Sequence, residues 1–313
     1  MTLSLSLSLS ARLDSEYQEM RVDSALVTAA DAKYAPFLFN ALSSIHANFP
    51  DHPVVYVFDL GLSRAQRCEL ESVPWVRLKT IDKFVPHWKA GWAWKPYILT
   101  QVDERFVLYF DAANIVLYRS IALWFLAIKR HGFFGIANGQ LMQDITPFDY
   151  WAMFDLDRVA CAARPTFGAG LFGFDGAGPA GDAIRKCLSL TIDGWNLGRS
   201  DGEQNPLYGR VPLRACVCFR ADQTLFNLAM VKHVGPGILI RDEVRYCGRG
   251  GQRDHVNQYL WYARRNKNCM VYFFRPLNTY SSAFVFNRMT AWVKLVLRWR
   301  AAELWKWFTS VRL

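Results

Sequence analysis

A strand-like segment that ends on a carboxylate carries the clearest chemistry in this sequence. Residues Phe106–Phe110 form a short apolar run, and the segment Asp111–Asn114 follows at once. A run rich in aromatic and β-branched residues predicts a buried strand. In an open α/β sheet the ligand binds at the carboxyl ends of the strands, where an acidic group can hold a divalent cation against a phosphate. The alternative is that Asp111 only caps the turn after its strand.

Strand and helix patterns alternate through the first half of the chain and would position this carboxylate. Besides Phe106–Phe110, strands are predicted at Ser24–Thr28, Pro53–Asp59, Val76–Leu78 and Phe133–Ile136. Helices are predicted at Tyr34–Asn48, Ser63–Ser72, Trp92–Val102 and Ile121–Arg130. This alternation predicts an α/β fold with a mostly parallel central sheet flanked by helices.

The second half of the chain is less regular. Thr166–Phe174 predicts a strand whose glycines would let a ligand or another backbone approach closely. Helices are predicted from about Asp182 to Leu190 and from Asp222 onward, and the polar segment Asp193–Pro212 between them predicts a loop.

The composition is that of a globular protein with a strongly basic surface. The chain has 313 residues, 52% of them hydrophobic, and a formal net charge of +10. Nucleotide phosphates, nucleic acid and anionic membrane surfaces all attract such a surface. The seven cysteines form no pair of CxxC motifs, which argues against a zinc site and a disulfide framework and predicts a cytoplasmic location.

The two ends of the chain differ from the middle. Residues 1–20 begin with a Leu/Ser alternation and are predicted to be disordered, residues 21–280 to form the main domain, and residues 281–313 to form a basic, aromatic C-terminal helix. Six cations and four tryptophans in that segment favour contact with the inner face of a membrane; the alternative is a helix docked on the core.

The order of these motifs resembles the nucleotide-diphospho-sugar transferases of the GT-A (Rossmann-like) fold, most nearly glycosyltransferase family 8. The similarity runs from about Ser24 to Asn227. It implies that Thr28 and Ala29 line the nucleobase and that Tyr34 stacks on it, and an aromatic face does suit a flat heterocycle. On spacing alone, Tyr34 could equally be a core-facing helix residue.

The resemblance also implies a divalent cation, Mn²⁺ or Mg²⁺, that bridges the donor's diphosphate. Asp111 matches the first carboxylate of the family's Asp-x-Asp motif, within a donor-binding segment that includes Ala112. The second carboxylate is replaced by Ala113, so the implied ligands are Asp111, the neutral amide of Asn114, and His233. An amide carries no charge, so metal affinity should be low or metal dependence absent.

The remaining family positions fall around the reacting sugar. Lys95 matches the lysine that pairs with the diphosphate or the leaving group. Asp222 and Gln223 match an Asp-Gln pair that would hold or stabilise the transferred sugar, although Asp222 could instead cap its helix. Gly168 stands where the family has asparagine. The less favoured histidine ligand is His255, and Arg264–Arg265 could bind phosphate or stay solvated.

The sequence therefore predicts a glycosyltransferase, by resemblance a retaining hexosyltransferase, that uses a nucleotide sugar, most simply a UDP-sugar. The acceptor would be a glycan, glycolipid or protein, and the basic tail suggests cell-surface polysaccharide synthesis. A catalytically inactive nucleotide-sugar-binding or interaction module is the alternative, supported by Ala113. A nucleic-acid partner is not predicted, because the basic residues are dispersed and form no recognition motif.

Overall fold

The computed structural model describes residues 13–116, 120–198 and 219–235, together with three short strands beyond them. The predicted residues His255, Arg264 and Arg265 and the predicted C-terminal helix at 281–313 lie outside the described residues. So does the Leu/Ser alternation that opens the chain.

Ten strands form two sheets. They are β1 (Ser24–Ala30), β2 (Val54–Asp59), β3 (Val76–Thr80), β4 (Phe106–Phe110), β5 (Asn114–Val116), β6 (Phe133–Leu141), β7 (Pro165–Asp175), β8 (Ile240–Arg241), β9 (Cys247–Gly248) and β10 (Leu260–Tyr262). The main sheet has seven strands in the order β3-β2-β1-β4-β7-β6-β8, and a small sheet has the order β5-β10-β9.

The main sheet is mostly parallel, as predicted. Strands β3, β2, β1 and β4 run parallel, with Leu26 of β1 opposite both Val55 and Leu108. The long strand β7 then runs antiparallel to β4 and to β6. The register of β7 sets Leu171 opposite Phe110, so the glycine-rich part of β7 continues past the end of β4 and lies beside Asp111.

Ten helices surround the sheet. They are α1 (residues 13–21), α2 (Ala35–Asn48), α3 (Arg64–Glu71), α4 (Trp94–Leu99), α5 (Ser120–His131), α6 (Met142–Ile145), α7 (Phe148–Met153), α8 (Arg158–Cys161), α9 (Pro179–Ile192) and α10 (Asp222–His233). The short helices α6 to α8 and strand β5 come from segments in which the sequence analysis predicted no element. These are the helices and strands of the described residues.

Both faces of the sheet are covered, because alternate residues of each strand point to opposite sides. On β1, Leu26 and Ala30 pack into a core shared with α2 and α5, whereas Val27 and Ala29 pack into a second core shared with α4, α9 and α10. This three-layer arrangement confirms the predicted α/β class, with helices on both sides of a mostly parallel sheet.

Two predicted boundaries need correction. Residues 13–21 are helical rather than disordered, because Tyr17 and Met20 bury an apolar stripe of α1 against the first core. The helix predicted to begin at Trp92 instead begins at Trp94, because Gly91 and Trp92 have positive φ angles of 56° and 54° and break the helical path.

No helix in the described ranges is long and apolar enough to span a bilayer.

A pair of histidines lies where α2 leads into β2. His52 Nδ1 donates to the carbonyl of Pro53 at 2.7 Å, so in the neutral ring Nε2 accepts from His46 Nδ1 at 3.2 Å. Trp75 stacks on His46 and meets His52 edge-on. Burial lowers the pKa of His52 to about 4, because the packed apolar surroundings disfavour the imidazolium.

Acidification should therefore destabilise the fold through His52. The unfolded chain binds a proton near the ordinary pKa of 6.5 and the folded chain only near 4, so this stability is complete above pH 6.5 and is lost as the pH falls toward 4. The loss should be about 3 kcal/mol in urea unfolding experiments. In His52→Gln the pH dependence over this window should be much flatter than in the wild type; equal slopes would contradict the assignment.

Candidate active site

A pocket of about 220 Å³ opens at the carboxyl ends of β1 and β4, where α/β sheets bind ligands. Its lining comes from the end of β1, the start of α2, the end of β4 and the turn before α4. The lining residues are Ala29, Ala30, Asp31, Tyr34, Leu60, Lys89, Trp92, Trp94, Asp111, Ala112 and Ala113. The structure thus brings Ala29, Tyr34 and the segment Asp111–Ala113 into one cavity.

The carboxylate of Asp111 reaches this pocket with its side chain 31% exposed. The hydroxyl of Tyr109 donates to Oδ1 at 2.6 Å, and Lys95 Nζ lies 3.6 Å from the same oxygen. A Cβ atom added to Gly170 would lie 3.0 Å from Oδ2, so glycine leaves room for the carboxylate. The carboxylate of Asp111 is therefore oriented by the side chains of Tyr109 and Lys95 rather than by the turn that follows β4.

Asp59, at the end of β2, shows what the capping alternative looks like. Its carboxylate accepts the backbone N–H groups of Gly61 at 2.7 Å and Leu62 at 2.6 Å, and it pairs with Arg67. The two strands that flank β1 thus lead to aspartates with different roles: Asp59 closes a turn and Asp111 faces a cavity.

Lys95 lies on α4 and is 3% exposed, so it is not a solvated surface charge. Its Nζ donates to the carbonyl of Ala169 at 2.9 Å and pairs with Asp222 at 2.8 Å and with Asp111 at 3.6 Å. The ring of Tyr109 lies 4.9 Å away. One buried ammonium group therefore joins the end of β4, the middle of β7 and the start of α10.

Asp222 is the first residue of α10 and is buried. The preceding Ala221 occupies the capping position with no side-chain cap, in a strained conformation with φ 46° and ψ −113°. The Asp222 carboxylate faces Lys95 and pairs with it. Burial raises the pKa of Asp222 above its ordinary value, and the charge of Lys95 works against this rise.

Hydrogen bonds to neighbouring backbone fix α10 against the sheet. Asn227 accepts from the N–H of Phe167 at 2.9 Å and donates to its carbonyl at 3.0 Å. Thr224 donates to the carbonyl of Ile145 at 2.9 Å. Because these contacts hold the helix by its middle turns, the position of Asp222 follows from the position of β7.

Several predicted site residues lie away from the cavity. Thr28 is fully buried and does not line the pocket. Gln223 follows Asp222 but has its Nε2 buried with no hydrogen-bond partner among the described residues. Gly168 lies on the outer part of β7, where an added Cβ would meet Asn138 at an ordinary 3.6 Å.

The predicted metal ligands are not brought together. Asn114 is buried and donates its amide nitrogen to the carbonyl of Gly170 at 2.6 Å. His233 is exposed at the far end of α10, whose 12 residues separate it from Asp222 by roughly 16 Å. Only Asp111 of the predicted set lines the pocket, and the described part of the chain holds no cluster of three or more metal-ligating side chains. These residues do not fit the predicted cation site.

The pocket also contains residues that the sequence analysis did not select as site residues. The carboxylate of Asp31 accepts the backbone N–H of Tyr34 at 2.9 Å. Lys89 and Trp92 also line the pocket, and Trp92 is 41% exposed. The clue available in the sequence was the pair Gly91-Trp92, a glycine beside a large aromatic residue.

The comparison with solved structures returns several glycosyltransferases, each with a TM-score below 0.5. It is similar to the galactosyltransferase LgtC, solved with donor and acceptor sugar analogues, at 17% identity over 76% of this chain and 86% of that chain, with a TM-score of 0.49. The glycosyltransferase GlyE of Streptococcus pneumoniae TIGR4 matches at 15% identity over 70% and 45% of the two chains, with a TM-score of 0.43. The bifunctional glycosyltransferase WbbM matches at 10% identity over 72% and 39%, with a TM-score of 0.46.

No known protein family matches the sequence, and no curated protein sequence does either. At these identities and TM-scores the similarity to the solved enzymes carries no argument about function, so a function for this chain has to be argued from its own residues.

Replacing Lys95 should destabilise the fold. In Lys95→Met the carboxylate of Asp222 stays buried without its cation, which should lower the free energy of unfolding by about 3 kcal/mol at pH 7. The measurement is urea unfolding followed by tryptophan fluorescence. The double variant Lys95→Met/Asp222→Asn should recover part of the loss, and Lys83→Met, an exposed lysine outside the pocket lining, should change little. A free energy of unfolding lower in the double variant than in Lys95→Met would contradict a charge effect.

Proposed function

We propose that this chain is a glycosyltransferase of the GT-A type that binds a nucleotide sugar in the pocket beside Asp111. The observation that carries the proposal is that Asp111, at the carboxyl end of β4, shares one cavity with Ala29 and Tyr34 from the first βα unit. A strand-end carboxylate and an aromatic ring on one cavity wall suit a ligand with a polar, charged part and a flat heterocycle.

The nucleobase end of the ligand would lie against Tyr34. Its ring is half-buried at the start of α2. Its backbone N–H donates to the carboxylate of Asp31 at 2.9 Å, so the backbone that carries the ring is fixed in position. Ala29 and Ala30 are small and leave the neighbouring wall open to a planar group. The role predicted for Thr28 stays a prediction, because its side chain lies beneath this wall.

The sugar end of the ligand would lie toward Asp111, Lys95 and Asp222. Lys95 is buried, donates a hydrogen bond to the carbonyl of Ala169 and forms ion pairs with the carboxylates of Asp222 and Asp111. We therefore assign Lys95 to positioning the two carboxylates rather than to direct contact with the departing diphosphate. Asp111 would accept hydrogen bonds from the donor, and Asp222 would set the position of Lys95.

The finer parts of the prediction belong to the same proposal. They are a UDP-sugar donor, a glycan or glycolipid acceptor, hexosyl transfer with retained configuration, and a role in cell-surface polysaccharide synthesis at the inner face of a membrane. A divalent cation remains part of the resemblance to glycosyltransferase family 8, but no step is assigned to it here, since the described residues do not assemble its site.

A catalytically inactive nucleotide-sugar-binding module is the second candidate. The observation in its favour is that Ala113 lines the pocket at the place where the family carries a second carboxylate. Turnover separates the two candidates: an enzyme releases nucleoside diphosphate from a nucleotide sugar, and a binding module retains the sugar intact.

Removing the Asp111 carboxylate should abolish turnover. Purified chain incubated with UDP-glucose or UDP-galactose, with and without Mn²⁺, should release UDP slowly, and Asp111→Asn should reduce this rate at least about 100-fold because the negative charge and one acceptor oxygen of the carboxylate are lost. Coupled UDP detection measures the rate. Asp182→Asn, an exposed carboxylate on α9, is the control and should retain the wild-type rate. Equal rates in Asp111→Asn and the wild type would contradict the proposal.

The aromatic ring of Tyr34 should contribute to nucleotide affinity. Tyr34→Ala should weaken UDP binding about 10-fold because a base–aromatic stacking contact is lost. Tyr34→Phe keeps the ring and should bind like the wild type. Isothermal titration calorimetry gives both values. If both variants bound UDP as the wild type does, the base would have to lie elsewhere.

A further inference from the structure

The turn that carries Lys89 to the pocket is strained and firmly held. It continues into the short 3₁₀ segment Ala90–Trp92, where Gly91 and Trp92 both have positive φ angles, of 56° and 54°. The cost is small for glycine but real for tryptophan. Strained backbone of this kind persists only where the surrounding structure imposes it, so the contacts below the turn have to be considered.

Asn196 supplies those contacts. Its side-chain amide donates to the carbonyl of Ala90 at 3.0 Å and to the carbonyl of Gly91 at 3.3 Å. A Cβ atom added to Gly91 would lie 2.7 Å from the Asn196 backbone oxygen, so only glycine fits. The 3₁₀ turn Trp195–Leu197 is in turn tied down by the hydroxyl of Tyr150, which donates to the carbonyl of Trp195 at 2.5 Å. The turn at Lys89 is therefore anchored through Asn196 to a buried part of the fold.

From this anchored turn, Lys89 extends along the pocket wall. Its Nζ lies 4.8 Å from the centre of the Trp88 ring, and a Cβ atom added to Gly61 would lie 3.6 Å from it. The side chain is exposed and lines the same cavity as Asp111. The ammonium group of Lys89 is thus presented to the pocket from a backbone segment that is held in place.

The charges around the cavity make this cation unusual. Three of the described lining residues have acidic or basic side chains: Asp31, Asp111 and Lys89. Asp111 forms an ion pair with buried Lys95, which also pairs with Asp222 and donates to the carbonyl of Ala169. A pyrophosphate that entered the cavity would thus meet one accessible cation among the described lining residues, and that cation is Lys89.

We propose that Lys89 binds the pyrophosphate of the nucleotide. Lys89 would supply there the positive charge that a cation at Asp111 would otherwise provide, since the predicted ligands of that cation are not brought together. This inference rests on the proposed function, because it assumes a nucleoside diphosphate in the cavity. Phosphate oxygens accept charge-assisted hydrogen bonds from an ammonium group, and the flexible stem lets Lys89 follow a ligand as it enters. Asn196 acts as a positioning residue, since it holds the turn from which Lys89 extends.

The test is binding of UDP, GDP and ADP to the full chain in the presence of EDTA, measured by calorimetry, with uridine measured by ligand-observed NMR. Lys89→Ala should weaken binding of the preferred nucleoside diphosphate about 10-fold and leave uridine affinity unchanged. Lys89→Arg should restore most of the affinity. Lys83→Ala, an exposed lysine in the same segment but outside the lining, is the matched control and should bind like the wild type.

The outcomes separate this inference from the proposed function. If the wild type binds a nucleoside diphosphate and Lys89→Ala binds it equally well, Lys89 has no pyrophosphate contact and only this inference fails. Equal losses of UDP and uridine affinity would also overturn it, because they would indicate a change in the shape of the pocket. If the wild type binds none of the three nucleotides, the proposed function and this inference fail together.

Discussion

The candidate site depends on one buried ammonium group. Lys95 lies between the end of β4, the middle of β7 and the start of α10, where it donates to a carbonyl and pairs with two carboxylates. A buried cation of this kind is tolerable only when opposite charge and hydrogen-bond acceptors surround it. The positions of Asp111, Ala169 and Asp222 are therefore coupled to one another, although they come from distant parts of the chain.

The surrounding fold supplies the strain and the anchors that keep this arrangement in place. Ala221 adopts an unfavourable backbone conformation so that Asp222 turns toward Lys95, and Asn227 compensates by tying α10 to β7. On the opposite wall, Asn196 holds the strained turn at Gly91. One strained segment, at Gly91 and Trp92, borders the cavity, and the other, at Ala221, directly precedes Asp222. Strained backbone conformations cost free energy and are concentrated at functional sites.

The sequence predicted the part of the site that local patterns encode. A strand that ends on Asp111 and a βα turn that leads to Tyr34 have recognisable patterns, and parallel topology brings their ends together. The partners of Lys95 could not be predicted, because Asp222 is distant in sequence and no local pattern announces the pair. His233 failed as a predicted ligand because it is close to Asp222 in sequence but lies at the opposite end of the same straight helix. The apolar stripe of α1 was missed beneath the leading Leu/Ser alternation.

Two successive carbonyl groups of β7 hold most of the polar centre. The oxygen of Ala169 accepts from Lys95, and the oxygen of Gly170 accepts from both the backbone of Asp111 and the amide of Asn114. Every amino acid supplies a main-chain carbonyl, so residues 169 and 170 can be substituted during evolution without loss of these hydrogen bonds, provided that the new side chain is small. Related chains would then vary in sequence at these positions while keeping the same backbone structure. A search of an alignment for invariant polar residues would therefore miss the strand β7, although its carbonyl groups hold Lys95, Asp111 and Asn114 in place.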